Sequence, residues 1–332
     1  MSRIKEFIKS VIGEKNTARV RNIRQFTGRI RQSAGAARAM WSNTGTAFQS
    51  HTEKVSVWCL MQVHMLEKAL AVKNTKYLEA VKYPYLLSRL EELLRLGMSP
   101  DNFTIKYSAA IIRSALSQVS GHDDDKKALE DFIAWNDVAM DFRGGIDRIP
   151  KDEIFAHNDF DFGAFVRARH SVRRFKDKIV SREVIHEIVK DALYCPSACN
   201  RQPFKVYFSE NPETIKRITA KFDGFVSPYV HDALIVTCDR NLLMPPEMND
   251  QEYVNGGIFL GYLVLSIHAH GLGSCLFQFL QLSSRQESIR REFGISPSEV
   301  ISAFVGIGEP EDEVLCACAQ RRPVEEVAVC LD

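Results

Sequence analysis

The apolar residues change period once along this chain, and that change limits its possible folds more than any single motif does. From residue 55 to about 140 they recur every three or four positions: Val57, Leu60, Met61, Met65, Ala69 and Val72, then Leu86, Leu87, Leu90, Leu93 and Leu94, then Ala109, Ile112, Leu116 and Val119. Such spacing puts one apolar stripe on each of several helices. Breaks fall at Asn74, at residues 97–100 and at residues 121–125. Helices with one apolar face and short connections pack as an antiparallel bundle. After residue 162 helical stretches alternate with short β-rich runs, expected as strands at 204–208, 233–238, 273–279, 303–308 and 324–330. Helices are expected at 212–222, 255–270 and 283–293. Another follows Ser181, read as its cap, with Val184, Ile185, Ile188, Val189, Ala192 and Leu193 as its buried stripe. The second part is therefore α+β, a sheet covered by helices. A charged stretch at 142–161, opening with Gly144 and Gly145, reads as a linker. The expected division is an all-α module at 1–145 and a second domain at 146–332, consistent with a length of 332 residues.

The charge balance narrows the partners. Residues are 26% charged with a net charge of +1, which gives no global reason to expect nucleic acid or a membrane. No apolar run approaches the roughly 20 residues that span a bilayer. The N-terminus lacks the apolar core of a secretory signal, so the expectation is a cytoplasmic, reducing setting with free thiols. The eight cysteines include no CxxC pair, and no metal site is expected. Locally the picture differs. Residues 1–41 hold ten Lys or Arg against Glu6 and Glu14, and Ile4, Phe7, Ile8, Val11 and Ile12 share one helical face. This basic amphipathic segment suits either an anionic membrane surface, which would make the protein peripheral, or packing on protein. Phe7, Phe26 and Trp41 are too sparse for a single-strand stacking platform, so no nucleic-acid partner is expected.

Two clusters carry chemistry. The first is Arg169, His170, Ser171, Val172, Arg173, Arg174, Phe175. Arginines suit a phosphate dianion, and the His and Ser suit carbonyl and hydroxyl edges; a solvated basic turn would look the same. The second, Tyr194 through Phe204, holds Pro196, Ser197, Ala198, Cys199, Asn200 and Gln202 between a helix and a strand. Its small residues allow close backbone approach, and its carboxamides both donate and accept. Elsewhere the sequence gives only bland readings. His64 and Lys68 share one helical face at i and i+4, which suits either a polar seam in the bundle or part of a binding surface. His268 and His270 face different sides of a helix, and Cys199 has no nearby base to make it a nucleophile.

Arg169 and Pro196 stand 27 residues apart with one amphipathic helix between them. The pair of motifs resembles the nitroreductase family. Its opening reads R, then R or H, S, any residue, R or K, any residue, then F or Y; a helix follows, then P-S-x-x-N-x-Q-P and W or F. Phe204 stands where Trp is common. The resemblance covers about residues 162–332 and implies a nitroreductase-like fold, a mixed β-sheet flanked by helices in a homodimer. It implies FMN as cofactor, NADH or NADPH as electron donor and a small organic acceptor, with nitro and quinone compounds as test acceptors. Chemistry would run as a two-step exchange on the flavin without a dedicated acid or base. Carried over residue by residue, Arg169, His170, Ser171, Arg173 and Arg321 would grip FMN from one subunit. Pro196, Ser197, Ala198, Cys199 and Asn200 would reach it from the other, and Leu276, Phe277 and Gln278 would lie near its N5. Residues 255–279, with Gly256 and Gly257, resemble the family's dimer-forming helix and following strand. Ser171 and the lack of an acidic-Tyr-Lys lid separate the chain from the flavin-destroying and deiodinating relatives. A helical extension like this one resembles those of nitroreductase-like proteins from polysaccharide-assembly loci. The alternative function is an FMN-binding or inactive adaptor in surface-polysaccharide synthesis, attached to a membrane or complex.

Overall fold

The computed structural model describes Ala34 and residues 50–147, 159–222, 229–243, 250–277, 283–314, 316, 317, 319 and 321–331. The basic segment at 1–41, apart from Ala34, and Gln278 lie outside the described residues.

The first described part is helical throughout: α1 (His51–Ala71), α2 (Thr75–Ala80), α3 (Tyr83–Arg95), α4 (Phe103–Leu116) and α5 (Asp123–Trp135). Helix α1 starts where Ser50 and Glu53 form a reciprocal capping box. The Ser50 hydroxyl accepts from Glu53 N at 3.2 Å, and the Glu53 carboxylate accepts from Ser50 N at 2.9 Å. Val55, Cys59, Val63, Leu66 and Leu70 then bury one face of α1 against α3 and α4, in a core with Leu90, Leu93, Ile105, Ile112 and Leu116. Each fully buried aliphatic chain there is worth about 1.5–3 kcal/mol in transfer from water. Gly144 and Gly145, expected to open a linker, lie against α4 instead. A Cβ on Gly144 would sit 2.5 Å from Ile111 N. Small residues are needed there because the chain passes directly over the helix backbone.

The second part begins with α6 (Phe162–Ala168) and α7 (Arg182–Ala192), then a single 3₁₀ turn (Ala198–Asn200) leading to β1 (Phe204–Tyr207). Next come α8 (Pro212–Thr219), β2 (Ala233–Asp239), α9 (Gln251–Ala269), β3 (Gly273–Phe277), α10 (Ser283–Phe293) and β4 (Glu299–Gly308). The strand order is β1-β2-β4-β3 with every pairing antiparallel. Among the described residues the expected mixed sheet is antiparallel apart from an isolated parallel bridge between Ser171 and Ser274. The first motif is too short and too irregular to extend that bridge into a strand. Both faces of the sheet are covered. Ile218, Phe222, Ile289 and Ile295 pack on one side with Ile235 and Phe304. Ile185, Ile188, Phe259, Leu263 and Ile267 pack on the other with Leu234, Val236 and Val305. Among the described residues no helix is long and apolar enough to cross a membrane.

Three local expectations need correction. Ser181 occupies the cap position of α7 but makes no side-chain cap bond; the Glu210 carboxylate takes the Arg182 N–H at 3.0 Å instead. The buried stripe of α7 is narrower than its sequence suggests, because Val184 and Leu193 are exposed. Residues 324–330 form no strand. They hold one 3₁₀ turn (Val324–Glu326), and Val324, Val327 and Val329 stay exposed. A β-rich run without an adjacent sheet edge has nothing to pair with.

Candidate functional site

The first motif leaves α6 in extended form and is pinned by its two apolar residues. Val172 and Phe175 are buried in the sheet's core, while Val172 N donates to Ser274 O at 3.0 Å and Phe175 N to Tyr229 O at 3.3 Å. Gly273 is required by this contact, since a Cβ there would sit 2.9 Å from the Val172 side chain. The residues between these anchors are free to face outward. Arg169, His170, Ser171 and Arg173 line a cavity of about 80 Å³ together with Arg321, which comes from the far end of the chain. Arg169 and His170 also line a larger cavity of about 420 Å³ that reaches Ser274, His268 and Cys316.

The electrostatics of the small cavity are one-sided. Three guanidinium groups surround it and no carboxylate lines it among the described residues. Arg173 donates to its neighbour's carbonyl, Ser171 O, at 3.2 Å, and Arg321 to Ala319 O. The next arginine is different: Arg174 pairs with Glu311 at 3.1 Å and covers the Tyr229 ring at 4.8 Å. Burial pushes the Cys275 thiol upward, while Arg173 and Arg169 pull it down, so both arginines act on β3 as well. Three cations around one concave space suit a phosphate-type dianion better than a neutral ligand.

The second motif lies elsewhere. None of Pro196, Ser197, Ala198, Cys199 and Asn200 lines the arginine cavity. Their loop is held tightly. Asn255, buried on α9, accepts from Ala198 N at 2.9 Å and donates to Gln251 O at 2.7 Å. Ser197 Oγ accepts from Gln202 N at 3.1 Å, and the buried Arg201 donates from Nε to Ala198 O at 2.9 Å. Cys199, Asn200 and Gln202 have φ of 51°, 49° and 47°. The left-handed region costs a non-glycine residue about 1 kcal/mol or more, so such a loop persists only where its surroundings determine it.

Among the strand residues, Leu276 is half-exposed, but Phe277 is buried and stacks on Phe222 at 4.2 Å. The Phe277 side chain is therefore part of the core, and only its backbone remains to meet a ligand. On α1, His64 meets Glu67 at 3.4 Å. His270 meets Asp191 at 3.0 Å, and His268 lies against Phe165 with ring centres 4.9 Å apart.

Sequence reasoning missed two groups here. Asn255 supports Ala198 from 57 residues away. Tyr107 of α4 accepts from Asn200 Nδ2 at 3.1 Å across 93 residues and donates to Glu67 Oε1 at 2.8 Å. Neither has a local sequence signal, because each is an ordinary helix residue whose partner is chosen by packing.

Part of the chain is similar to known proteins. The model of the Nitroreductase family matches residues 166–240, which includes all of both motifs. A protein of Archaeoglobus fulgidus named as a candidate NADH dehydrogenase/NAD(P)H nitroreductase is 28% identical over 149 residues, covering 45% of this chain and 84% of its own. An NADH dehydrogenase of Thermus thermophilus is 25% identical over 200 residues, 48% of this chain and 91% of its own. A candidate nitroreductase of Desulfovibrio desulfuricans, solved in complex with FMN, overlays on 52% of this chain and 96% of its own, at 22% identity and a TM-score of 0.43. Both motifs and the family match converge on one stretch: this chain carries a nitroreductase-family domain.

Proposed function

We propose that this chain is an FMN-dependent oxidoreductase that takes electrons from NADH or NADPH and passes them to a small organic acceptor. The observation that carries this reading is the cavity enclosed by Arg169, Arg173 and Arg321 with Ser171 and His170 beside it. Those residues fit the FMN phosphate, with three fixed cations and no lining carboxylate among the described residues. Held there, FMN would supply hydride-transfer chemistry between a reduced nicotinamide and the acceptor, while the protein would supply position and electrostatics. Arg169, Arg173 and Arg321 would hold the phosphate, and Ser171 and His170 would donate to adjacent polar edges. Leu276, the Phe277 backbone and Gln278 would lie near the ring.

The second-motif loop, remote from that cavity within one chain, would serve the site of a second subunit in a homodimer. Helix α9 offers a surface for such a contact: Val254, Ile258 and Tyr262 are exposed along it, and Gly257 and Gly261 have open space beside them. The test is the visible spectrum of the purified protein before and after anaerobic NADH or NADPH. Flavin bands that bleach support the enzyme. A colourless protein that takes up no added FMN removes it.

One observation favours a second reading. The helical part, residues 50–147, has its own core and lies outside the family match. An adaptor in surface-polysaccharide assembly, recruited to a membrane or complex through residues 1–41, would need such a module. Loss of liposome binding on deletion of those residues would support recruitment, and unchanged binding would exclude that segment.

A further inference from the structure

We propose that the helical module sets the hydrogen-bonding direction of the second-motif loop, with Tyr107 as a positioning residue that orients the Asn200 carboxamide under control of Glu67. The functional consequence rests on the flavin reading above; the orientation itself does not.

The argument is one of donors and acceptors. An ionised Glu67 can only accept. Tyr107 has a single hydroxyl proton, and its bond to Glu67 Oε1 at 2.8 Å uses it. The Tyr107 oxygen can then only accept from its next neighbour. Asn200 must therefore turn its NH2 group to Tyr107, as it does at 3.1 Å. Its oxygen turns the other way, where Gln202 Nε2 lies 3.3 Å away. Flipping the carboxamide would set oxygen against oxygen at the first contact and nitrogen against nitrogen at the second. The chain of bonds runs one way, from Gln202 through Asn200 and Tyr107 to the carboxylate.

Each member is fixed from its own side. The Tyr107 ring stacks on Phe103 with centres 5.0 Å apart, and His64 meets the second oxygen of Glu67 at 3.4 Å. Burial first, and Glu67 besides, push the Tyr107 hydroxyl up to about 12, so it keeps its proton at neutral pH. The loop needs this support because Cys199, Asn200 and Gln202 all have left-handed backbones. Asn255 holds the loop from within the same domain, whereas Tyr107 holds it from the helical module. A second bond between the two parts lies close by, from Asn241 Nδ2 to Glu53 of α1. With the amide direction fixed, the second N–H of Asn200 is the donor left for a ligand. The helical module thus decides what the loop presents to a flavin, an influence that a chain without this module cannot exert.

The test uses the full-length protein in two measurements. The first is hydrogen exchange of the loop at 197–202 without added FMN, for wild type, Tyr107→Phe and Glu67→Gln. Both variants are expected to exchange faster in that loop with the rest of α4 unchanged; identical loop exchange overturns the proposal. The second is the FMN dissociation constant from flavin fluorescence quenching, for Tyr107→Phe, Asn200→Ala and the double variant. Loss of one neutral hydrogen bond predicts an affinity about 2- to 12-fold weaker for Tyr107→Phe. The double variant should bind no worse than Asn200→Ala alone, since Tyr107 acts through Asn200. Additive losses, or no loss in Tyr107→Phe, would refute the positioning role. Wild-type protein that fails to take up FMN would sink the flavin reading instead, and the exchange data would still decide the orientation.

Discussion

Replacing Asn255 by Ala tests the logic of the second-motif loop most directly. Asn255 is 2% exposed, and its Oδ1 is the acceptor for Ala198 N at 2.9 Å. Alanine removes that acceptor and leaves the Ala198 N–H without its partner. An unsatisfied donor of this kind costs about 1–3 kcal/mol. On the other side little is lost, because the Gln251 carbonyl released by Asn255 Nδ2 lies in the first turn of α9 and keeps its helical bond. The penalty should therefore concentrate on the loop, where three left-handed residues already strain the backbone. At about 1.4 kcal/mol per tenfold, 1–3 kcal/mol predicts amide exchange about 5- to 140-fold faster at residues 197–202. Hydrogen exchange read by mass spectrometry on peptides from this loop, with peptides from β4 as internal reference, makes the measurement. Unchanged loop exchange in Asn255→Ala, or acceleration equally large in β4, would refute the reasoning.

Three further outcomes follow from the same structure. Arg173→Ala and Arg321→Ala should each weaken FMN binding about 10- to 150-fold, the worth of a hydrogen bond to a charged group. Arg174→Ala, whose guanidinium is paired with Glu311, should change it little; equal losses at all three positions in a binding titration would contradict the assignment. Asp232 is fully buried, and burial, partly offset by N–H bonds from Val180 and Ala233, raises its carboxyl to about 6. The folded state then binds its proton more tightly than the unfolded chain. The stability Asp232 contributes is fully present below about pH 4 and is lost as pH rises through about 6. Wild type minus Asp232→Asn, compared by urea denaturation at pH 4.5 and 7.5, should shrink with rising pH by about 2 kcal/mol; a constant difference would count against it. Glu299, 1% exposed, accepts from Thr237 at 2.6 Å, Tyr207 at 2.9 Å and Lys205 at 2.8 Å. Glu299→Ala leaves the buried Thr237 hydroxyl and the partly buried Tyr207 hydroxyl without their acceptor, while the exposed Lys205 ammonium turns to water, so denaturation should show a loss of about 1–3 kcal/mol; no measurable loss would show that water or a neighbour replaces the carboxylate.

Much of the fold was legible because its causes are local. The apolar stripes of α1, α3 and α4 and the largely apolar run of β2 are set by residues within a turn or a strand of one another. The arginine cluster was legible for the same reason, apart from Arg321, whose place rested on the family resemblance. Residues 324–330 were misread because a β-rich run reports only a tendency to pair, and whether a sheet edge is available is a property of the assembled fold. Phe277 was assigned to the ligand side, yet the pleat of β3 turns its ring into the core against Phe222.

What the sequence determined by itself was the order and type of the elements and the residue chemistry of two motifs, since period and spacing act over a few residues. What only the tertiary structure decided was which groups meet: three arginines around one cavity, Asn255 under Ala198, and Tyr107 reaching Asn200 across 93 residues. Those contacts depend on how α1, α4 and α9 stack against a loop distant in the chain. A hydrogen bond leaves no trace in the sequence between its partners.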